Sequence, residues 1–287
     1  CSSGETEQVR PAIHGHRLIH GHRLIHGHRR STGNPRTNRS IGPLAAATAC
    51  AALLTGCAPG SPNAGDITVF AAASLTATFT ELAESFEAQY PGTNVALNFA
   101  GSSDLFTQLD QGAPADVFAT ADTSTMERAV DAQLVDGEPT QFATNALTIV
   151  TAPGNPANVT SFADLANPDI LTVVCAPRVP CGAATDKVEQ VTGITIPAVS
   201  EESAVTDVLG KVTSGQADAG LVYVTDAAAA GDRVTSVTFP ESARAINTYP
   251  IAVLGSNKNA DAAAAFVAFV TGAAGQRILA EAGFAAP

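Results

Sequence analysis

Histidine is missing from most of this 287-residue chain: all six, His14, His16, His20, His22, His26 and His28, fall in one short tract near the start. A body that works without that tract has no imidazole, which excludes Ser-His-Asp and Cys-His catalysis and His-ligated metal centres. Basic residues are nearly as scarce. Seven of the 15 lie in residues 1–57 against only two of the 27 acidic ones, so the remainder carries eight against 25, a net charge near −17. Such a surface repels nucleic acid and anionic membranes. Long apolar runs are absent too, since the best of them, Ile41 to Leu54, falls short of the roughly 20 residues that span a bilayer.

That run sits where an export signal would place it. Arg36 and Arg39 precede it, and Leu54-Thr55-Gly56-Cys57 closes it in a pattern that resembles the lipobox of bacterial lipoproteins. The resemblance implies that Cys57 is acylated and becomes the mature N-terminus, although a buried helix ending at Gly56 would read similarly. The following APGSPNAGD has the composition of a tether. Upstream, IHGHRLIHGHRLIHGHRR is a six-residue repeat. His-rich tracts can bind Zn or Ni, but the chain opens on Cys1 rather than Met, so residues 1–57 are expected to be a leader plus signal peptide. Cleavage there would leave Cys175 and Cys181 as the only cysteines beside Cys57. In an oxidising exported compartment the CAPRVPC loop is expected to close as a disulfide, with two free thiols the alternative.

Strands and helices alternate beyond the tether. Strands are expected at 67–71, 94–99, 116–119, 146–151, 171–175, 219–223, 234–238 and 246–254. Helices are expected at 75–90, 103–111, 123–131, 161–165, 183–192, 204–214, 225–229, 260–271 and 273–282. The alternation suggests parallel α/β layers in two lobes, with a ligand cleft between them. In ITVFAAASL, a strand runs through three alanines into Ser74 where a helix begins. Helix N-termini carry unpaired N–H groups and positive dipole ends, so this junction suits an oxyanion, though Ser74 alone could be a simple N-cap. Similar junctions stand at Gly101-Ser102-Ser103, Cys181-Gly182 and Glu202-Ser203-Ala204-Val205. Asp116, Asp122 and Asp226 are expected to be caps and turn formers.

Several of these segments together carry a resemblance. ITVFAAASLTATFTELAESFEAQYP, FAGSSDLFTQLDQGAPADVFATAD, FATNALTIVTAPGNP, VPCGAATDKVE, SGQADAGLVYVTDA and the terminal GFAAP resemble the molybdate-binding proteins of ABC transporters, the ModA family of type II periplasmic binding proteins. The likeness covers Asp66 to Pro287. It implies a two-lobed, extracytoplasmic receptor, anchored through Cys57, that closes on molybdate or tungstate and delivers it to a membrane permease as a monomer, with neither cofactor nor catalysis. Lobe one would comprise 66–144 and 247–287, lobe two 145–246, and 58–65 the tether. By the same resemblance Ser74 and Ser102 donate hydroxyls, Ser102 also its N–H, Cys181 and Val205 give backbone N–H groups, and Tyr223 gives a phenol. The family often has a small non-thiol residue where Cys181 stands. Molybdate is a fully deprotonated dianion, so neutral donors can satisfy it, whereas protonated phosphate also needs an acceptor. Other readings are a receptor for sulfate or another oxyanion, and a hydrolase pairing Ser74 with Lys187, Lys211 or Lys258.

Overall fold

A computed structural model describes residues 65–287. The His-rich repeat, the apolar run, Cys57 and nearly all of the tether lie outside the described residues.

The chain enters through β1 (Asp66–Ala72), whose Ile67, Val69 and Ala71 face one core while Phe70 faces another, the two-residue alternation of a strand buried on both sides. A 3-10 turn, Ala73–Leu75, passes it into α1 (Thr76–Gln89). Then follow β2 (Asn94–Ala100), α2 (Ser102–Asp110), β3 (Val117–Ala119), α3 (Thr123–Asp131) and β4 (Val135–Asn145). The second part runs β5 (Leu147–Thr151), β6 (Thr172–Cys175), α4 (Pro180–Thr192), β7 (Ser200–Glu202), α5 (Val205–Thr213), β8 (Ala219–Tyr223), α6 (Val224–Ala230) and β9 (Thr235–Val237). Finally β10 (Asn247–Leu254), α7 (Ala260–Thr271) and α8 (Ala273–Glu281) complete the chain.

Two five-stranded sheets result, ordered β2-β1-β3-β10-β4 and β7-β6-β8-β5-β9. They are mixed and not purely parallel, as the alternation had suggested: β10 runs antiparallel to both β3 and β4, and β5 antiparallel to both β8 and β9. The cause is connectivity. β4 leads out of the first sheet directly into β5, and β10 returns, so each sheet receives a strand that enters against the direction of its βα units.

Two strands were not expected. β4 carries VDGEPTQFATN, mostly polar, with Gly137 at φ 76° and Pro139 inside it. It is an edge strand, where Pro is tolerated, and its register against β10 shifts twice, which erases any alternation. β7 is three residues on the opposite edge of the second sheet. The segment expected to be a helix at 161–165 is a 3-10 turn, Phe162–Ala166, held by a Ser161/Asp164 capping box.

Aromatic side chains hold α1 to α7: Phe86 meets Phe266 edge-on with centroids 5.2 Å apart, and Phe269 lies 5.5 Å from Phe86. On the other face of the first sheet, Phe70, Phe118, Leu105, Leu109 and Met126 pack under α2 and α3. With both faces covered, the ends of the parallel strands are what remains for a ligand, and every βα turn there begins a helix. No single described helix is long and apolar enough to cross a membrane.

Candidate functional site

Four helical segments begin round one small buried cavity. Its walls are Ala72, Ala73 and Ser74 after β1, Gly101 and Ser102 after β2, Val179 to Cys181 before α4, and Ser203 to Val205 before α5, with Ala121 and Tyr223 completing it. Thus all five residues singled out from sequence, Ser74, Ser102, Cys181, Val205 and Tyr223, line a single cavity. The space open to the centre of a water-sized sphere is about 10 Å³, room for one compact ion and too little for a sugar or an amino acid. A far larger groove, about 610 Å³, runs past Thr76, Glu81, Arg233 and Glu281, but the carboxyls of Glu81, Asp226 and Glu281 line it, which disfavours an anion there.

The helix starts at the cavity share a feature. Their N-cap residues are Ala72, Gly101, Val179 and Ala204, and none accepts a side-chain hydrogen bond. Elsewhere α3 and α7 are capped by the carboxylate of Asp122 and the amide oxygen of Asn259, whereas α8 too starts uncapped, at Gly272. Uncapped N-termini leave N–H groups without a partner and their dipoles uncompensated. In α4 the first position is Pro180, which has no N–H, so Cys181 supplies the first donor. The Cys175–Cys181 disulfide ties that turn to the end of β6, with Cα atoms 5.6 Å apart.

Side chains continue the pattern. The Tyr223 hydroxyl is buried and has no hydrogen-bond partner, an arrangement that costs about 1–3 kcal/mol unless something fills it. Ser102, 1 % exposed, accepts the Ala121 N–H at 3.1 Å, which leaves its own proton free. Ser74 Oγ lies 3.0 Å from the Tyr249 hydroxyl. Burial, then the neighbouring Tyr249, Asp122 and Asp226, push the Tyr223 phenol well above its ordinary range, so it stays protonated and able to donate. Asp226 is buried beneath the same strand end and accepts the Tyr223 N–H at 3.0 Å. Desolvation raises its carboxyl to about 7, against the opposing effect of that hydrogen bond.

Direct contacts between the lobes close over the cavity. The Ser103 hydroxyl donates to the Arg178 carbonyl at 2.9 Å, and Asn247 Nδ2 donates to the Ala121 carbonyl at 2.8 Å and the Pro180 carbonyl at 3.4 Å. Gly101 faces Ser203 so closely that a Cβ there would lie 2.1 Å from its carbonyl oxygen. Sequence reasoning did not single out Tyr249, Asn145, Asn247 or the Gly101–Ser203 approach. Asn145 and Asn247 stand at the lobe boundaries expected from sequence, but a lone Tyr or Asn at a strand end carries no mark of its partner.

Other candidates separate from the site. No lysine lines the cavity: Lys211 is paired with Glu202 and Ser200, Lys258 follows β10, and Lys187 lies on α4 facing a groove with Asp122. The serine–lysine pair is therefore not assembled. Asp122 and Asp226 do cap helices, but Asp116 does not; its two oxygens accept the Thr68 and Lys258 N–H groups at 2.7 Å each, joining β1 to the loop before α7. Among the described residues no three His, Cys, Asp or Glu side chains cluster to hold a metal ion.

Comparison with known proteins bears on this geometry. The family of bacterial extracellular solute-binding proteins matches residues 67–285. The molybdate-binding protein ModA of Mycobacterium tuberculosis H37Rv is 53 % identical over 246 residues, covering 85 % of this chain and 94 % of its own. Among solved structures, the periplasmic molybdate-binding protein of Azotobacter vinelandii superposes with a TM-score of 0.68 at 22 % identity, over 77 % of this chain and 99 % of its own. The sulfate-binding protein SubI of M. tuberculosis superposes at 0.67 and 23 %, over 77 % and 86 %.

Two outcomes follow from the geometry. Gly101 has φ −56° and ψ 137°, a conformation open to alanine, so the only obstacle to Gly101→Ala is the Ser203 carbonyl of the opposite lobe. The variant is expected to fold but to stand open, with a larger radius of gyration than the parent by small-angle X-ray scattering. Asp226 makes the protein less stable as pH rises from about 4 to 7, because the unfolded chain releases the proton that the folded one keeps. Its contribution is on the order of 4 kcal/mol across that window. Urea unfolding between pH 4.5 and 7.5 is expected to show a shallower loss of stability in Asp226→Asn.

Proposed function

Because this chain belongs to the ModA family of bacterial extracellular solute-binding proteins, we propose that its cavity binds molybdate, and tungstate with it, for delivery to an ABC permease. The observation that carries this is the Tyr223 hydroxyl, buried without a partner in a cavity whose other polar groups are hydroxyls and helix N-termini. Every such group is able to donate. A ligand that fits them is rich in acceptors, compact and in need of no acceptor in return, which describes a fully deprotonated tetrahedral dianion.

Binding on this reading proceeds by closure. The open protein exposes two half-sites, Ser74 and Ser102 on one lobe, Cys181, Val205 and Tyr223 on the other. An anion that enters accepts the Ser74, Ser102 and Tyr223 hydroxyls and the N–H groups of Ser102, Cys181 and Val205. Each helix end contributes about 0.3–1 kcal/mol when exposed and up to roughly 2 when partly buried. Closure removes water, which strengthens all of these interactions together. The acidic body opposes entry only weakly, since its charges are screened beyond about 8 Å in physiological salt.

Calorimetry tests the reading. Protein beginning after Cys57 is expected to bind one molybdate per chain, and Tyr223→Phe to weaken it about tenfold, the cost of one hydrogen bond to a charged group; no heat with molybdate or tungstate overturns it. The lipoprotein reading of Cys57 rests on the lipobox-like Leu54-Thr55-Gly56-Cys57. Intact mass of protein extracted from membranes is expected to show an N-terminal diacylglycerol-modified Cys57, and an unmodified mass would refute the anchor.

A further inference from the structure

The Ser74–Tyr249 contact decides something that the cavity's lining does not. A serine hydroxyl both donates and accepts, so a site lined by serines is not by itself closed to a ligand bearing a proton. What makes it so is the partner on the far side of each serine oxygen. For Ser102 that partner is a backbone N–H, from Ala121 at 3.1 Å, which can only donate. For Ser74 it is the Tyr249 hydroxyl at 3.0 Å, which could serve in either direction.

The surroundings of Tyr249 choose the direction. It is fully buried on β10, walled by the rings of Phe142, Tyr223 and Phe284. Its hydroxyl meets one hydrogen-bond partner among the described residues, Ser74 Oγ at 3.0 Å, so unless it donates there its buried proton has no acceptor. The nearby Asn145 amide is engaged elsewhere: its Oδ1 accepts the Ala146 N–H at 3.0 Å and its Nδ2 donates to Thr225 Oγ1 at 2.8 Å. The Tyr223 hydroxyl is not within hydrogen-bonding geometry. The Tyr249 proton therefore has one acceptor within reach, Ser74 Oγ. Once Ser74 accepts it, the serine's own proton must turn to the cavity.

We propose that Tyr249 is a positioning residue for specificity: by donating to Ser74 it obliges that serine to donate to the ligand, removing Ser74 as an acceptor for protonated oxyanions such as hydrogen phosphate. The proposal rests on the oxyanion reading above. It adds that rejection of a protonated ligand is enforced from behind the cavity, by a residue of the returning strand that no ligand touches. The relay runs from Tyr249, on the strand that returns to the first sheet, to Ser74.

Tyr249→Phe keeps the ring and its edge contacts and removes only the hydroxyl. Affinities for molybdate, sulfate and hydrogen phosphate, measured by calorimetry at pH 8, separate the possibilities, because sulfate carries no proton and hydrogen phosphate carries one. In the variant, molybdate and sulfate are expected to weaken in parallel by about fivefold, while the ratio of hydrogen phosphate to sulfate affinity rises about tenfold. In a Ser74→Ala background the same change is expected to leave that ratio unaltered. Equal weakening of all three anions, or no change in any, overturns the proposal. Parent protein that binds no molybdate overturns the oxyanion reading itself. Should Tyr249→Phe fail to fold, proton NMR of the parent decides: a slowly exchanging Tyr249 hydroxyl proton with cross-relaxation to the Ser74 β-protons supports the relay, and a Ser74 hydroxyl proton directed at Tyr249 refutes it.

Discussion

Buried hydrogen-bond donors with no acceptor facing them are the constraint on which this structure turns. Four uncapped helix starts and the Tyr223 hydroxyl converge on one small cavity. Sealed in protein with nothing between them, such groups would destabilise the closed form by a few kcal/mol each. Asp122 and Asn259 cap α3 and α7 while α8 begins uncapped at Gly272, so it is the convergence of four uncapped starts on one cavity, and not the lack of a cap at any one of them, that points to a ligand. The closed arrangement is coherent when an anion supplies the acceptors, and the interlobe contacts then add to an interaction that the ligand makes favourable.

Those contacts are arranged at the crossings. Asn145 and Asn247 are paired across β4 and β10, the two strands that carry the chain between lobes. Asn145 reaches Thr225 on α6, and Asn247 reaches the carbonyls of Ala121 and Pro180, one on each side of the cavity. A small backbone rotation at the crossings is thus coupled to hydrogen bonds at the cavity wall, the property that a hinge between two rigid lobes requires. Asp226 adds an electrostatic consequence. A carboxyl raised to about 7 by burial is partly neutral at physiological pH, so this acid opposes a bound dianion less than an ordinary aspartate would.

Much of this was legible in the sequence, and the limits have physical causes. The βα turns declared themselves because a buried strand followed by small residues and a helical apolar period is a local pattern, as at ITVFAAASL and FAGSSDL. The five cavity residues expected from sequence were reached through the family resemblance joined to those junctions. What escaped was non-local. β4 is polar, bulged and interrupted by Pro139, since an edge strand is held by one neighbour and need not alternate. The antiparallel direction of β5 and β10 depends on where the chain crosses, which no window of residues records. Tyr249 lies 175 positions from Ser74, so its partner is set by the fold alone.

The same distinction governs selectivity. Charge cannot be what distinguishes one oxyanion from another here, because helix ends and hydroxyls attract any anion and the body of the protein repels them all. Size separates ligands only as far as the lobes resist adjusting, and the Gly101–Ser203 approach, with backbone against backbone, leaves little slack. Protonation is a separate criterion, and it is read by proton direction: a hydroxyl that must donate turns away a ligand that must also donate. Ser102 has that direction fixed by the Ala121 N–H, and Ser74 acquires it from Tyr249. A cavity lined by neutral residues can therefore be selective without a charged side chain in it, provided that the atoms behind its walls decide which way each hydroxyl points.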